Sequence, residues 1–314
     1  MIAAQPFQYQ GSKRALASVI LQQFPSNVAR LVEPFCGSAA LSIAAAARGQ
    51  AREFWLNDFN KPLASLLELM IENPKALAKS YAELWRGEGV EALAHYYQVR
   101  ELFNRSQEPR LLLYLLARCV KGAVRYNADG LFNQSPDKRR LGTRPATMLD
   151  NISTVSALLR GRSVVTSLSY EDVLAKVRKA DLVYMDPPYQ GVCGERDSRY
   201  LSGISFDGFV AELEKLNRKQ VRYMVSYDGR LGTRTYGKPL PANLNLKLVE
   251  LEAGRSSQAT LLGRDEVTVE SLYLSPALAD ELNSKPASHR WRTEDQMQLL
   301  ETPPSYGKVS KRVS

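Results

Sequence analysis

Short apolar runs alternate with stretches of helical spacing along most of the chain. The runs that predict buried strands are 30–33, 53–57, 163–166, 182–185 and 222–226. Each is strand-length and bounded by turn residues, whereas the segments between them carry apolar residues at the spacing of a helix face. Strands that alternate with helices are typical of an α/β protein with a parallel sheet. The chain is therefore predicted to be α/β.

A longer helical segment and two hairpins interrupt this alternation. Residues 60–120 carry apolar residues at helical spacing without a strand, which predicts a helical insertion. Within 124–133, Asp129-Gly130 lies between two extended runs, the sequence pattern of a β-hairpin. Two further extended runs, at 246–251 and 267–274, predict a hairpin late in the chain.

These patterns divide the chain into three parts. We predict a sheet domain built from residues 1–60 and 145–282, with a helical and hairpin insertion at 61–144. From residue 283 the chain is polar and punctuated by prolines, with basic residues towards its end. Such composition predicts a flexible basic tail over 283–314.

Composition narrows the class of protein. The 314 residues carry a formal net charge of +9, which favours a polyanionic partner such as nucleic acid. No apolar run approaches the roughly 20 residues that span a bilayer. The first residues lack the pattern of a signal peptide, so a cytoplasmic location is expected. Three dispersed cysteines and two distant histidines argue against a disulfide framework, a metal site or a histidine base.

The most informative stretch follows the apolar run at 182–185. It reads Asp186-Pro-Pro-Tyr189, and two prolines disfavour both a helix and a paired strand. The Asp186 carboxylate, the Pro187 carbonyl and the Tyr189 ring therefore follow one another within one turn. Such a set suits a planar ring that bears an amino group. From these residues alone, an ordinary Asp-Pro turn that ends a strand is an equal alternative.

A second group of small and acidic residues lies nearer the N-terminus. Gly37 follows the first predicted strand, and Asp58 ends the second. In dinucleotide-binding folds this order brings a ligand over the strand ends, with the acid on its ribose hydroxyls. Ala39 stands where a second glycine would be expected, but its neighbours are small enough for a ligand to approach the backbone.

Taken together, these motifs resemble the Dam-like family of DNA adenine-N6 methyltransferases over roughly residues 7–275. The matching motifs are Glu33-Pro-Phe-Cys-Gly37, Asn57-Asp58, Ser169-Tyr-Glu-Asp172, Asp186-Pro-Pro-Tyr189 and the segments 97–104 and 125–133. The resemblance implies a Rossmann-like methyltransferase sheet, with the insertion as a target-recognition domain. It also implies S-adenosylmethionine as the cofactor and double-stranded DNA as the substrate.

The resemblance implies roles for individual residues. Those expected at the cofactor are Tyr9, Lys13, Phe35, Gly37, Asp58 and Asp186. Those expected to be catalytic are Asp186, Pro187 and Tyr189, with no metal involved. Those expected to contact DNA, from the hairpin and the basic run behind it, are Arg125, Asn127, Lys138, Arg139 and Arg140. Arg125 is the candidate for bidentate guanine recognition.

The chain departs from the family pattern at two points. Tyr9, Gly11 and Ser12 stand where the family has Trp and two glycines before the lysine. The segment before Arg125 lacks the aromatic residue and the asparagine of GATC-specific members. GATC is therefore only a first expectation for the target sequence.

Other functions stay open on sequence alone. Methylation of cytosine N4 uses the same geometry but more commonly a serine before the two prolines, and methylation of RNA or of protein glutamine uses an asparagine there. A DNA-binding protein with a vestigial cofactor pocket is a further alternative. The sequence does not decide whether a cognate restriction endonuclease is a partner, or what the oligomeric state is.

Overall fold

A computed structural model describes residues 4, 6–87, 89, 91–188, 204–231, 234–236, 239–255 and 267–284. Within these ranges, segments 228–231, 234–236, 252–255 and 267–269 are described by their backbone. No helix in these ranges is both long and apolar enough to cross a membrane.

A single mixed sheet organises the described part of the chain. Its eight strands are β1 (Val28–Glu33), β2 (Ala51–Asn57), β3 (Ser163–Thr166), β4 (Leu182–Met185), β5 (Arg222–Leu231), β6 (Arg234–Tyr236), β7 (Lys247–Arg255) and β8 (Val267–Leu274). Their order is β3-β2-β1-β4-β5-β8-β7, with β6 paired to β5. Strands β1 to β5 are mutually parallel, whereas β8 is antiparallel to both β5 and β7. The predicted parallel strands and the late hairpin are confirmed.

Helices pack on both faces of this sheet. They are α1 (Ala17–Leu21), α2 (Ala40–Ala47), α3 (Lys61–Glu72), α4 (Pro74–Arg86), α5 (Ala92–Ser106), α6 (Pro109–Arg118), α7 (Pro145–Leu159), α8 (Tyr170–Ala175), α9 (Phe206–Arg218) and α10 (Pro276–Ser284). Alternate strand residues belong to two cores, since Leu31 of β1 lies in the core that includes residues of α1 to α7, and Val32 lies in the core that includes residues of α8 and α9. Period-two alternation therefore decides which strand residues share a face.

The segment predicted as an insertion packs directly against the sheet. Helix α3 contacts β3, and α7 contacts both α2 and α3. In the interface between α7 and α3, the Ser156 hydroxyl donates to the Ile71 carbonyl at 2.6 Å. Helices α3 to α7 and one face of the sheet thus share a continuous core. A separate domain with limits at 61–144 stays a prediction.

The hairpin predicted at 124–133 forms with little regular strand. Tyr126 pairs with Phe132 in an isolated antiparallel bridge. Between them, the Asn127 Oδ1 accepts from the main-chain N–H groups of Asp129 and Leu131, at 3.0 and 2.9 Å. A side chain that satisfies its own turn in this way is the standard contribution of asparagine to tight turns.

Helix α5 supports this hairpin from behind. The Asn104 side chain donates to the Phe132 carbonyl at 3.1 Å and accepts from its N–H at 2.8 Å, as a neighbouring strand would. The Tyr96 hydroxyl donates to the Gln134 carbonyl at 2.9 Å. These contacts satisfy backbone groups of an irregular segment and fix its position.

Two helix boundaries differ from the prediction. Leu16, Val19, Ile20 and Phe24 have the spacing of one helix face, which predicts a longer first helix, but α1 ends at Leu21 and single turns follow. Pro25 explains the end, because a proline disfavours the helical conformation in the residue before it. At the other end, α10 continues to Ser284, two residues into the segment predicted as tail.

Candidate functional site

The carboxyl ends of β1, β2 and β4 open into a cavity of about 690 Å³. Strand β1 lies between β2 and β4, so the strand order reverses at this point. Open α/β sheets bind ligands at such a reversal. Of the residues predicted to be functional, those that line the cavity are Tyr9, Lys13, Phe35, Gly37, Asp58, Asp186 and Pro187. Tyr189 lies outside the described residues.

Asn57 fixes the geometry at the end of β2. It is fully buried, and its Nδ2 donates to the carbonyls of Pro34 and Leu168, both at 3.0 Å. Its Oδ1 accepts from the Thr166 hydroxyl at 2.7 Å and from the Leu168 N–H at 2.8 Å. One amide therefore ties the segments after β1 and β3 to β2. The next residue, Asp58, is consequently presented to the cavity.

A hydrogen bond joins Asp58, after β2, to Gly37 in the turn after β1. The Asp58 carboxylate accepts from the N–H groups of Gly37 at 3.0 Å and Asn60 at 2.9 Å. Burial raises the pKa of Asp58 to about 6, against the lowering effect of those two hydrogen bonds. Gly37 has φ of 51°, and a Cβ on it would lie 2.9 Å from the Tyr9 ring. Tyr9 therefore depends on a glycine at this position.

Ala39 adopts the backbone conformation expected of the glycine it replaces. Its φ is 53° and its ψ is 30°, in the left-handed region, and it begins α2. This conformation costs an alanine roughly 1–2 kcal/mol. The turn thus keeps a glycine-like path without a glycine at residue 39.

Glu33 is a buried acid at the carboxyl end of β1. Only 3% of it is exposed, and its carboxylate accepts from the Ser42 N–H at 2.9 Å and from the Ser42 hydroxyl. Burial raises the pKa of Glu33 to about 7, Ser42 opposes this rise, and the negative charge of Asp186 adds to it. The cavity therefore contains a carboxyl group that titrates close to neutrality.

Lys13 connects two carboxylates in the same cavity. Its Nζ lies 3.1 Å from Asp186 Oδ1 and 3.2 Å from Glu270 Oε2, and 10% of its side chain is exposed. Burial acts to lower the pKa of Lys13, but the charges of Asp186 and Glu270 outweigh it and hold that pKa well above its usual range. Lys13 therefore stays protonated between the two carboxylates.

Glu270 is the site residue that sequence reasoning missed. Its strand β8 alternates, and Leu272 and Leu274, two and four residues further on, are fully buried. An acid at the next position of that buried face is a sequence signal for a functional group. Val124 and Tyr126 were missed as well, because the inner side of the hairpin forms part of the cavity wall.

The basic residues behind the hairpin lie at the surface. Arg125, Lys138 and Arg139 are exposed. Arg140 is exposed too, and its guanidinium donates to Gln8 Oε1 at 3.2 Å. Gln8 directly precedes the loop 9–13, here called the opening loop. Asn127, by contrast, is half-buried and engaged in its own turn.

Helices α4 and α6 anchor this basic loop. The guanidinium of Arg118, a buried residue at the end of α6, donates to the main-chain carbonyl of Arg140. From α4, the Trp85 indole N–H donates to the Leu141 carbonyl at 3.0 Å. The exposed cations are thus carried on a backbone that is held in place.

Comparison with known proteins identifies the family. Residues 9–249 match the model for the D12 class N6 adenine-specific DNA methyltransferases, and the chain belongs to that family. The mixed α/β sheet agrees with such an enzyme, and membership implies a methyl donor.

Curated relatives are similar over part of their length. The Retron Ec67 DNA adenine methylase of Escherichia coli is 27% identical over 65% of this chain and 67% of its own. The DNA adenine methylase of Salmonella typhi is 29% identical over 58% of this chain, which spans 63% of that protein. The DNA N-6-adenine-methyltransferase of Escherichia phage P1 is 24% identical over 71% of this chain and 29% of the phage protein.

A solved structure described as precorrin 8w decarboxylase, from Methanobacterium thermoautotrophicum, aligns with a TM-score of 0.39 at 11% identity, covering 88% of this chain and 99% of that one.

The buried Glu33 predicts a specific dependence of stability on pH. Its pKa in the folded state, about 7, lies above the ordinary 4.5, so the folded state binds the proton more tightly. Glu33 therefore stabilises the fold less and less as pH rises from about 4.5 to about 7. Relative to the wild type, Glu33→Gln should gain on the order of 2 kcal/mol of unfolding free energy between pH 5 and pH 8.

Denaturant unfolding at a series of pH values measures this gain. Glu83→Gln, which removes an exposed carboxylate on α4, is the matched control and should show no such trend. A Glu33→Gln difference that stays constant or falls with pH would contradict the interpretation of Glu33.

Proposed function

We propose that this chain transfers a methyl group from S-adenosylmethionine to the N6 nitrogen of adenine in double-stranded DNA. The observation that carries the proposal is the position of Asp186 at the end of β4, in the same cavity as Asp58 and Gly37 and 3.1 Å from the Lys13 ammonium. Membership of a DNA adenine-N6 methyltransferase family supports the choice of substrate.

The cavity fits S-adenosylmethionine. Gly37 lets the Tyr9 ring lie against the turn backbone as part of the cavity wall, and Asp58 offers a carboxylate of the kind that binds ribose hydroxyls. The buried Oε1 of Gln10, which also lines the cavity, has no hydrogen-bond partner among the described residues and would accept from a ligand. The residues proposed to hold the cofactor are Tyr9, Lys13, Phe35, Gly37, Asp58 and Asp186. When bound, S-adenosylmethionine supplies an electrophilic methyl group on a sulfonium.

Asp186 and Pro187 are proposed to activate the target amino group. The N6 nitrogen of adenine is a poor nucleophile because its lone pair is delocalised into the ring. If the Asp186 carboxylate and the Pro187 carbonyl each accept one N6 hydrogen, the nitrogen becomes more pyramidal and its lone pair is directed away from the ring. The methyl–sulfur bond would break as the methyl–nitrogen bond forms, and the amino nitrogen would lose one of its hydrogens as a proton to solvent. Positioning and electrostatics would then provide most of the acceleration, without a covalent enzyme intermediate.

The target base must leave the DNA helix to enter this cavity. Flipping costs a few kcal/mol of stacking and pairing, and an aromatic stacking partner returns about 1–3 kcal/mol. We propose this stacking role for Tyr189. Val124 and Tyr126 of the hairpin line the cavity. The hairpin proposed to recognise DNA would therefore also form part of the wall around the reacting base.

The hairpin and the loop behind it are proposed to bind the DNA. Arg125 is exposed on the hairpin and suits bidentate contact with a guanine edge. Lys138, Arg139 and Arg140 are proposed to contact phosphates, which supplies affinity rather than sequence choice. For Asn127 we propose that it maintains the shape of the hairpin, since its side chain closes the turn. In this proposal the segment 61–144 is the recognition region of a Rossmann-like methyltransferase.

Replacement of Asp186 tests the proposed chemistry. Asp186→Asn should lower methyl transfer from labelled S-adenosylmethionine to DNA on the order of 10²–10³-fold, because one group that polarises the amino nitrogen is lost. DNA affinity, measured by fluorescence anisotropy, should change by less than about twofold, since phosphate contacts supply most of it. Asp150→Asn, at an exposed position on α7, is the matched control. Near-wild-type transfer by Asp186→Asn would contradict the proposal.

Two basic residues should respond differently to removal. Arg125→Ala should reduce discrimination between the target and single-base variants by about 1–3 kcal/mol, because a base contact is lost. Lys138→Ala should weaken all sequences equally and lower the slope of log affinity against log salt by about 1. Binding titrations at several salt concentrations measure both effects.

Arg160→Ala controls for the loss of one positive charge. Arg160 is exposed at the end of α7, before the amino end of β3 and so away from the cavity. Unchanged discrimination in Arg125→Ala would show that another residue recognises the sequence.

A further inference from the structure

Glu270 belongs to a charged group that the proposed reaction does not by itself explain. The Lys13 ammonium bridges Asp186 on the β4 side and Glu270 on β8, at 3.1 and 3.2 Å. The exposed fractions of the three side chains are 10% for Lys13, 19% for Asp186 and 27% for Glu270. Ion pairs with so little exposure depend on close geometry. Removal of one partner costs free energy, because it leaves a charge without its counter-charge.

The backbone around Glu270 directs it towards Lys13. Glu270 lies opposite Gly229 of β5, and the register of β5 and β8 shifts between Ser226 and Gly229. The shift adds one residue to β5, which is the definition of a β-bulge, and bulges redirect side chains beside active sites. The extra residue lies in β5, whereas β8 keeps a regular register with β7 through Glu270, so alternation along β8 brings Glu270 to the cavity.

The charges of the three groups suggest what Glu270 does. Lys13 and Asp186 alone would form a neutral pair, in which the whole ammonium acts on Asp186. With Glu270 present the group carries one net negative charge, and the positive charge of Lys13 is shared between two carboxylates. When a cation is shared with a second carboxylate, it neutralises the first carboxylate less. Asp186 is then a stronger acceptor for an incoming N–H than it would be in a pair with Lys13 alone.

We propose that Glu270 is a positioning residue that holds Lys13 between two carboxylates, so that Asp186 keeps its capacity to accept a hydrogen from the target amino group. This inference rests on the proposed methyl transfer. It assigns Glu270 an action through Lys13, without contact with the substrate.

Kinetics of Glu270→Gln and of its double variant with Lys13→Met test this action. Glu270→Gln should lower the single-turnover rate at saturating DNA and S-adenosylmethionine about tenfold, within the range of coupling between contacting charges, with unchanged DNA affinity. In a Lys13→Met background the same change should alter the rate by less than about twofold, because the cation through which Glu270 acts is gone. Glu250→Gln, on the neighbouring strand β7, is the matched control and should keep the wild-type rate.

A second measurement does not depend on activity. Mass spectrometry of the protein without DNA gives the rate at which an acylating reagent labels the Lys13 amine. Loss of Glu270 lowers the pKa of Lys13, so labelling should be at least about threefold faster in Glu270→Gln than in the wild type.

The outcomes separate this inference from the proposed function. A wild-type rate in Glu270→Gln, an equal fall in the presence and absence of Lys13, or unchanged labelling of Lys13 would each overturn the positioning role. If thermal melting shows that Glu270→Gln loses activity only in proportion to folded protein, Glu270 is merely structural and the inference is wrong. If the wild type methylates no DNA, the proposed function fails, and the labelling rates still decide whether Glu270 restrains Lys13.

Discussion

The ion pair between Lys13 and Asp186 is the contact on which the site depends. Lys13 comes from the opening loop and Asp186 from the end of β4, and the pair lies in a cavity where an unpaired charge would be costly. The loop cannot leave the cavity without exposing this pair. Two further contacts hold it, because the Ser38 hydroxyl donates to Ser12 at 3.1 Å and the Tyr9 ring packs on Gly37. The ion pair of Lys13 and the packing of Tyr9 thus hold the same loop in the cavity wall.

The opening loop also joins the cavity to the hairpin. The Gln10 N–H donates to the Gly122 carbonyl at 3.1 Å, and a Cβ on Gly122 would lie 2.2 Å from the Gln8 carbonyl oxygen. On the other side of the hairpin, Asn60, which follows Asp58, hydrogen-bonds the Tyr126 hydroxyl at 3.1 Å. The segment proposed to recognise DNA is therefore in backbone contact with the segments proposed to hold the cofactor. The position of this recognition segment therefore affects the shape of the cavity.

Much of the site was predictable because parallel strands end at the same edge. Gly37, Asp58 and Asp186 each follow a predicted strand, and the structure brings them into one cavity. Glu270 was not predictable in the same way, since its position depends on the antiparallel pairing of β8 with β5. The attachment of α3 to the sheet was equally hidden, because helical spacing reveals an apolar face but not its partner. Asn127 shows another limit, because its side chain closes its own turn and the DNA contact expected of it stays a prediction.

The identity of the methylated nucleoside shows whether the amino group that reacts at Asp186 belongs to adenine. Unmethylated double-stranded DNA would be incubated with the full chain and S-adenosylmethionine, digested to nucleosides and analysed by mass spectrometry with chromatographic standards. We expect N6-methyldeoxyadenosine, formed in proportion to enzyme and time. N4-methyldeoxycytidine as the product, or no methylated nucleoside at all, would contradict it.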